Sequence, residues 1–442
     1  MTAPAPRDSW FGHPKGLSTL FFTEMWERFS YYGMRAFLIL YMVHALGFTD
    51  GHAGSVYGWY TAGVWAAAIV GGIIADRWLG QYRSVLYGGI IIALGHFTLA
   101  LHALPAFYAG LSFIVIGTGL LKPNVSGIVG ALYDVQDARR DAGFSIFYMG
   151  INLGAFIGPI IAGYLAQRVD WHLGFACAGV GMTLGLVQYV LGRKRLAPAI
   201  ERLARKPKPV AAAGSQTPTA GAGWLDFTTA EWKQIAAMGV FFVFAAIFWG
   251  AYEQAGSSLN LFGDRYTTTT ILGFSFPSSW YVSVQAIFVI ILAPAFAWLW
   301  IKLGRYEPTT PTKFAFGLLF VGVSFLFLLP AANAIQSTPG LRVSPFWLIG
   351  CYFIQELGEL SLSPVGLSVF TKLSPVKIVG MMLGVWFLAD SVGNKVAGYA
   401  AGFISSAPLP QLFGVVAAVC IGASAVAFLL VKPVKRLMGG VH

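Results

Sequence analysis

The first apolar stretch of the chain carries a stripe of ionisable and aromatic side chains. Glu24, Glu27, Arg28, Tyr31 and Arg35 stand at positions i, i+3, i+4, i+7 and i+11, which is the spacing of one helical face. A guanidinium can bind a carboxylate through two parallel hydrogen bonds. A buried carboxyl group beside it can take up and release a proton. The pattern predicts a helix that lines a polar path.

Ionisable side chains also interrupt apolar stretches elsewhere. They are Lys122, Glu253, Glu356, Glu359, Asp390 and Lys395. On the mildest scale a charge at the bilayer centre costs about 2.5–3.5 kcal/mol, so the whole set of ten would cost roughly 25–35 kcal/mol. Structural ion pairs are an alternative for any one residue, but their attraction seldom offsets the desolvation of both groups. The set is therefore expected to face water or a ligand.

The signs of these charges differ between the two halves of the chain. The amino-terminal half contributes three basic and two acidic side chains to the set, and the carboxy-terminal half contributes four acidic and one basic. A site between the halves would have one basic wall and one acidic wall. A zwitterion with separated carboxylate and ammonium groups fits that field better than a simple anion or an apolar drug.

The composition requires that lipid covers much of the fold. The 442 residues are 57% hydrophobic and 11% charged, with a mean hydropathy of +0.68, whereas soluble chains are about 25% charged. This excludes a soluble enzyme, a disordered chain and a disulfide scaffold. Cys177, Cys351 and Cys420 lie in apolar runs without metal-ligand spacing. Twelve apolar stretches of roughly 20 residues are predicted to cross the membrane as helices.

Basic residues predict the orientation. The termini and alternate loops hold 22 of the 29 Lys and Arg, and the loops on the other side hold three, so both termini are expected in the cytoplasm. This placement argues against nucleic acid as a partner despite the net charge of +11. The predicted divisions are a segment 1–16, a six-helix bundle 17–192, a basic linker 193–233, a second bundle 234–432 and a tail 433–442.

The linker is predicted to be a flexible tether at the inner leaflet, because it combines basic residues with a stretch of small ones. An orientation signal is the favoured interpretation of its charge, with specific lipid binding as the alternative.

The two halves resemble each other. Residues 79–82 (LGQY) and 303–306 (LGRY) follow the second and eighth predicted spans, and Pro123 and Pro364 interrupt the fourth and tenth. Two similar six-helix halves with prolines at matching depths are typical of a transporter whose site lies midway between them.

One motif resembles a known family. Residues 24–33 (EMWERFSYYG) match the ExxERFxYYG motif of the proton-dependent oligopeptide transporter family, and residues 72–83 resemble the loop signature of the major facilitator superfamily that contains it. Residues 121–124 (LKPN) and 147–154 (FYMGINLG) extend the similarity. The resemblance implies the all-α major facilitator fold, with twelve transmembrane helices in two pseudo-symmetric bundles. It also implies proton-driven uptake of di- and tripeptides through a bacterial cytoplasmic membrane.

The resemblance further implies roles for individual side chains. Peptide-binding residues would be Arg28, Tyr31, Tyr32, Arg35, Lys122, Asn152, Trp249, Gln285, Glu359, Trp386 and Phe387. The basic ones would face the peptide carboxylate and Glu359 the amino terminus. Proton coupling would involve Glu24, Glu27 and Glu253. An outer gate would join Arg35 to Glu253, an inner gate would join Lys122 to Glu359, and Asp76 with Arg77 would latch the cytoplasmic side.

Some residues depart from the family pattern. Trp65 stands where a Tyr is frequent, and Gln285-Ala286 replaces an Asn-Pro. The second predicted span has no internal histidine, which leaves a histidine proton relay unsupported. The two extra helices of many bacterial relatives have no counterpart. A structural pair or a gate is the expected role of Glu356, Asp390 and Lys395.

The expected partners are di- and tripeptides, protons and the lipid bilayer, with no cofactor or metal and a monomeric state. A transporter of the same fold for nitrate, an amino acid or a drug is the alternative. An intramembrane enzyme is disfavoured because metal-ligand spacing, serine-based motifs and phosphate loops do not occur in the sequence. A sensor is disfavoured because no soluble output domain is predicted.

Overall fold

The computed structural model describes residues 9–134, 137, 139–205, 227–375 and 378–439. The helices are α1 (Gly16–His44), α2 (Asp50–Ile74), α3 (Gln81–Leu99), α4 (Leu104–Ala131), α5 (Arg140–Arg168), α6 (Trp171–Leu191), α7 (Arg193–Arg205), α8 (Thr229–Tyr252), α9 (Ser258–Tyr266), α10 (Ser283–Leu303), α11 (Thr310–Ser337), α12 (Pro345–Leu373), α13 (Val379–Ala401) and α14 (Leu409–Leu437). Two short antiparallel hairpins pair β1 (Ser9–Trp10) with β2 (His13–Pro14) and β3 (Thr270–Ile271) with β4 (Phe274–Ser275).

Several helices begin at side chains that bind free backbone amides. Thr49 accepts a hydrogen bond from the His52 N–H at 3.2 Å at the start of α2. Thr228 and Glu231 form a capping box at the start of α8. Helices α4, α11, α12 and α14 carry a proline in the first turn, where the missing N–H would have no partner within the helix. These signals fix where the spans begin after each turn.

Among the described residues, twelve helical segments are long enough to span a membrane: α1 to α6, α8 together with α9, and α10 to α14. Eight of them qualify by length and composition alone. Helices α1, α3, α12 and α13 fall outside that group. Three of these four, α1, α12 and α13, carry most of the ionisable side chains predicted to lie within the membrane. The predicted number of twelve spans is confirmed.

The seventh span is broken, whereas the sequence predicts a continuous helix there. A 3₁₀ turn at Glu253–Gly256 separates α8 from α9. Side chains take over part of the backbone hydrogen bonding around this break, since the Gln254 amide donates to the Gly250 carbonyl at 3.2 Å and the Ser258 hydroxyl donates to Gln254 at 2.7 Å. The break places Glu253 at the end of α8, buried between the two bundles.

The amino-terminal bundle is built around α1, which packs against α5 and α6. In the carboxy-terminal bundle α11 packs between α12 and α14, and α8 contacts α13. The bundles meet where α2 lies along α13 and where α5 meets α10. A Cβ on Gly398 would lie 2.4 Å from the Gly58 Cα, so α2 and α13 can approach this closely only because both positions are glycine.

Polar contacts fasten the bundles together on the side opposite the termini. Arg265 pairs with both oxygens of Asp50 at 2.6 and 2.7 Å, and His44 Nε2 lies 2.8 Å from Asp264 Oδ2. The Trp280 indole N–H donates to the Ile160 carbonyl at 3.0 Å. Within the described residues, the hydrogen bonds and ion pairs that join the bundles lie in this half or at mid-membrane.

The linker contains a helix that the sequence analysis does not predict. The prediction of a flexible tether is wrong for α7, because Leu196, Ala199 and Leu203 recur at helical spacing and pack toward α1 and α4. Arg202 also donates a hydrogen bond to the Ala131 carbonyl at the end of α4 at 3.0 Å. Residues 206–226 of the predicted linker lie outside the described residues, as do residues 1–8 and 440–442 of the predicted terminal segments.

Candidate functional site between the two bundles

The polar stripe of α1 points into the protein, since its five side chains are all buried. The Arg28 Nε contacts both helix-1 carboxylates, touching Glu27 and lying 3.2 Å from Glu24 Oε1. The guanidinium carbon also lies 5.3 Å from the ring centre of Tyr31 and 5.9 Å from that of Tyr32. One cation is therefore held by two acids and two aromatic faces on a single helix.

This cluster leaves polar atoms unused. Arg28 Nη2, Glu24 Oε2 and Glu27 Oε1 are buried from solvent and make no hydrogen bond. A buried donor or acceptor without a partner costs about 1–3 kcal/mol, and more when it is charged. A ligand carboxylate at Arg28 would satisfy the guanidinium, and a proton on either glutamate would reduce the acid excess.

Arg35 joins the two bundles. Its Nη2 pairs with Glu253 at the break after α8, and its Nε donates to the Tyr57 hydroxyl at 2.6 Å. The neighbouring Ala36 carbonyl accepts a hydrogen bond from Asn260 of α9 at 2.7 Å. The structure thus brings together the two residues predicted to form the outer gate, and their contact lies at the break in the seventh span.

Lys122 has a different neighbour from the one expected. Its ammonium nitrogen lies 2.9 Å from the ring centre of Trp65 on α2, and Trp65 stacks on Phe387 of α13 with ring centres 5.9 Å apart. Among the described residues no ion pair joins Lys122 to Glu359. The inner-gate contact therefore stays a prediction for another conformation of the protein.

The acidic wall lies on α12 and α13. Glu359 is buried beside Ser363, and its Oε2 makes no hydrogen bond. Glu356 accepts a hydrogen bond from the Tyr252 hydroxyl at 2.8 Å. Asp390 accepts one from Asn394 at 2.7 Å and interacts electrostatically with Lys122 across the bundle interface.

Lys395 does not join this wall. Its ammonium lies 4.3 Å from the ring centre of Trp59, whose side chain is exposed on the outer surface of α2. The expected role of Lys395 in a structural pair or gate with the acidic residues finds no support among the described contacts, because five positions along α13 turn it about 140° from Asp390.

Two of the polar side chains predicted to bind the peptide make hydrogen bonds within their own bundles. The Asn152 amide donates to the Tyr148 carbonyl one turn earlier at 3.0 Å, and Gln285 donates to Gln355 at 3.3 Å. Tyr148 itself interacts electrostatically with Glu359 and Tyr32. It therefore lies between the two walls, and its side chain is 40% exposed.

The three aromatic residues predicted to bind the peptide lie in different parts of the structure. Trp249 is buried in the carboxy-terminal bundle, and its indole nitrogen makes no hydrogen bond. Trp386 packs inside the same bundle, 5.3 Å from Phe370 between ring centres. Only Phe387 lies at the interface, stacked on Trp65.

Asp76 and Arg77 lie in a π-helical turn after α2 and are exposed. Asp76 accepts a hydrogen bond from Gln81 at 2.9 Å within the same loop. The described contacts of this loop do not cross to the other bundle, so the predicted latch stays a prediction.

Sequence reasoning missed Tyr57 and the role of Trp65 in holding Lys122. Tyr57, Thr61 and Trp65 recur every four residues along α2, so helical spacing placed them on one face. Asp390 stands three positions after Phe387 on α13, and the same spacing could have assigned it to the site.

Comparison with known proteins shows to which family the chain belongs. The sequence model of the POT family matches residues 82–206 and 225–416. The chain is 38% identical to the peptide transporter YePEPT of Yersinia enterocolitica over 97% of this chain and 96% of that protein. It is 35% identical to a di-/tripeptide transporter of Lactococcus lactis over 98% of both chains.

A crystal structure of a peptide transporter POT in complex with sulfate superposes with a TM-score of 0.89 and 39% sequence identity, covering 99% of this chain and 98% of that one. The expected major facilitator fold of two six-helix bundles is confirmed by this similarity. With the family model matching most of the chain and relatives aligned over nearly its full length, the protein is a multi-pass membrane transporter of the POT family.

Proposed function

We propose that this protein is a proton-coupled importer of di- and tripeptides. Arg28 on the amino-terminal bundle and Glu359 on the carboxy-terminal bundle carry the proposal, because each is buried with a polar atom that makes no hydrogen bond. A peptide carboxylate would satisfy Arg28 Nη2, and a peptide ammonium would satisfy Glu359 Oε2. The names of relatives, a peptide transporter and a di-/tripeptide transporter, support this substrate class.

Basic and acidic groups on separate walls suit a ligand whose own charged ends are separated, as those of short peptides are. The charged ends of an extended dipeptide lie about 7 Å apart and those of a tripeptide about 10 Å. A nitrate ion would leave Glu359 without a partner, and a free amino acid is too short to keep its two charged groups on separate walls. Tyr31, Tyr32, Tyr148 and Asn152 would bond the peptide backbone between the two poles, and Asn152 would do so in exchange for its bond to the Tyr148 carbonyl.

The ion pairs of the site suggest how protons couple to the substrate. Once Arg35 is neutralised by Glu253, the amino-terminal wall retains Arg28 and Lys122 against Glu24 and Glu27, so its net charge is zero when both acids are ionised. Protonating one of them leaves a net charge of +1 and frees part of the Arg28 guanidinium. The wall would then attract a peptide carboxylate, and proton and peptide would enter together.

The driving force is adequate for accumulation. A potential of 100 mV supplies about 2.3 kcal/mol per proton, and one pH unit supplies about 1.4 kcal/mol. The total of roughly 3.7 kcal/mol corresponds to an accumulation on the order of 500-fold for one proton per neutral zwitterion.

The orientation follows from the basic loops. With the termini in the cytoplasm of a bacterial cell, the polar contacts of Asp50, His44 and Trp280 close the external side, and the site would be reached from inside. Import would require these contacts to open while the Lys122–Glu359 gate and the Asp76–Arg77 latch close. We further propose that the protein acts as a monomer, uses protons as the coupling ion and needs no cofactor.

Uptake by purified protein in liposomes tests this function. An acid exterior with an inside-negative potential should drive accumulation of labelled dialanine, and a protonophore should abolish it. Unlabelled di- and tripeptides should compete, whereas nitrate and alanine should not. Accumulation that ignores the pH gradient, or competition by nitrate, would reject the proposal.

Trp65 is expected to hold Lys122 ready for the peptide carboxylate. A desolvated cation–π contact is worth about 2 kcal/mol, so Trp65→Ala should weaken dialanine binding roughly 10- to 30-fold, while Trp65→Tyr should retain most of the affinity. Trp59→Ala is the matched control, because Trp59 lies on the same helix and also covers a lysine, Lys395. Calorimetric dissociation constants measure the effect, and an equal loss in both alanine variants would contradict the assignment.

A further inference from the structure

Two turns of the amino-terminal bundle bring two histidines and an aspartate together, on the side opposite the termini. His102 lies in the turn between α3 and α4, and Asp170 and His172 begin α6. Each residue offers one potential ligand atom, and these three atoms all lie within 4.8 Å of one another. The two imidazole rings lie against each other, with centres 3.6 Å apart and planes tilted by 31°, so the exposed His102 ring has to turn for both rings to bind one ion. This cluster is remote from the charged walls of the transport site.

We propose that His102, Asp170 and His172 form a binding site for a divalent transition-metal ion such as Zn²⁺. The Nδ1 atom of His172 is buried from solvent, makes no hydrogen bond, and lies 3.4 Å from Asp170 Oδ1. Two ligand atoms at 2.0–2.2 Å from a tetrahedral zinc ion are about 3.4 Å apart. The structure thus already holds one ligand pair at the separation that the ion requires.

The other ring nitrogen of His172 has a neighbour with which it can form a hydrogen bond. Its Nε2 lies 3.4 Å from the Tyr41 hydroxyl on α1. A proton on Nε2, directed at Tyr41, leaves Nδ1 with the free lone pair that a metal needs. Metal-bound histidines are usually oriented through their second nitrogen in this way.

The donor set selects the kind of ion. Two imidazoles and one carboxylate suit zinc, cobalt, nickel or copper, whereas Mg²⁺ and Ca²⁺ prefer oxygen ligands throughout. Three protein ligands leave a fourth position for water, and both His102 and Asp170 are exposed, so an ion can enter from solvent.

The backbone amides at the start of α6 carry partial positive charge, which weakens the binding of a cation there. The negative charge of Asp170 counters this repulsion. Its Oδ1 accepts hydrogen bonds from the amides of His172 and Leu173 at 2.9 and 3.3 Å, and its negative charge lies beside the proposed ion. The ion would add 2+ to a cluster that otherwise has a charge of −1 with neutral histidines.

All three ligands belong to one bundle, so rocking of the bundles leaves the site intact. The ion would tie the α3–α4 turn to the start of α6 and stabilise the folded bundle. The site is therefore assigned to metal binding and stability, independently of peptide transport.

The test uses full-length protein from which any affinity tag has been removed. Equilibrium dialysis should find one Zn²⁺ per chain in the wild-type protein, and Co²⁺ should give the intense visible bands of a tetrahedral site. His102→Ala and His172→Gln should each weaken Zn²⁺ binding at least tenfold and abolish the cobalt bands. His52→Ala is the control, because His52 is another exposed histidine on this side, close to the Tyr108 hydroxyl at 3.2 Å.

Thermal unfolding gives a second readout. Zn²⁺ should raise the Tm of the wild-type and His52→Ala proteins and leave that of His102→Ala unchanged. His102 lies in an exposed turn, so its replacement tests the site even if His172→Gln fails to fold. Zinc binding of equal strength in His102→Ala and wild type, or no binding to the wild type, would overturn the proposal.

Discussion

Replacing Glu27 by glutamine is expected to abolish acid-driven accumulation of dipeptide and to leave peptide exchange intact. In the native protein Glu27 contacts the Arg28 Nε and has an oxygen that makes no hydrogen bond. Glutamine cannot change its charge with pH, so the wall of Arg28, Lys122 and an ionised Glu24 would have a net charge of +1 without taking up a proton. Peptide would still bind and cross, but no proton would be required to accompany it at this position.

The measurement compares two modes of transport in liposomes. Accumulation of labelled dialanine under an acid exterior should fall from a limit on the order of 500-fold to about equality. Counterflow, in which internal unlabelled peptide exchanges for external labelled peptide, should continue because it needs no net proton movement.

Glu307→Gln is the control for this experiment. Glu307 also pairs with a basic residue, Lys313, but the pair lies at the loop between α10 and α11, outside the site. This variant should accumulate dipeptide as the wild type does. Retained acid-driven accumulation in Glu27→Gln would show that proton coupling resides elsewhere.

Replacing Glu359 by glutamine is expected to remove the preference for a free amino terminus. Loss of one partner from a buried charge pair costs about 2–5 kcal/mol, so affinity for dialanine should fall roughly 30-fold or more. N-acetyl-dialanine has no ammonium group, and its affinity should change less than about threefold. The ratio of the two dissociation constants, measured for wild type and variant, isolates the contact between Glu359 and the ammonium.

Glu356→Gln is the matched control, because Glu356 lies one turn earlier on α12 and is also buried. Glu356 is engaged by the Tyr252 hydroxyl, so its replacement should affect both ligands alike. The assignment fails if Glu359→Gln weakens both ligands equally, or if Glu356→Gln alone removes the preference.

Much of the transmembrane architecture was predictable because it depends on local periodicity and on the cost of charge in hydrocarbon. Twelve apolar stretches required twelve spanning helices, and the spacing from Glu24 to Arg35 required one polar face on the first. The helix α7 was also predictable from the spacing of Leu196, Ala199 and Leu203. The basic and small residues around them instead favoured a flexible chain.

Side-chain partners were less predictable, because they depend on helix rotation and on the relative position of the bundles. Arg35 meets Glu253 across the two bundles, at the point where the seventh span breaks. Lys122 lies on Trp65 rather than beside Glu359, and Trp65 in turn stacks on Phe387 of α13.

The amino-acid sequence alone determined a membrane transporter with twelve helices, a basic amino-terminal half and an acidic carboxy-terminal half, because hydrophobicity, helical spacing and charge belong to the chain itself. The tertiary structure decided which opposite charges are paired, which polar atoms are left for a ligand, and on which side of the membrane the bundles are fastened. These properties arise from contacts between residues far apart in sequence. They exist only after the two bundles have packed.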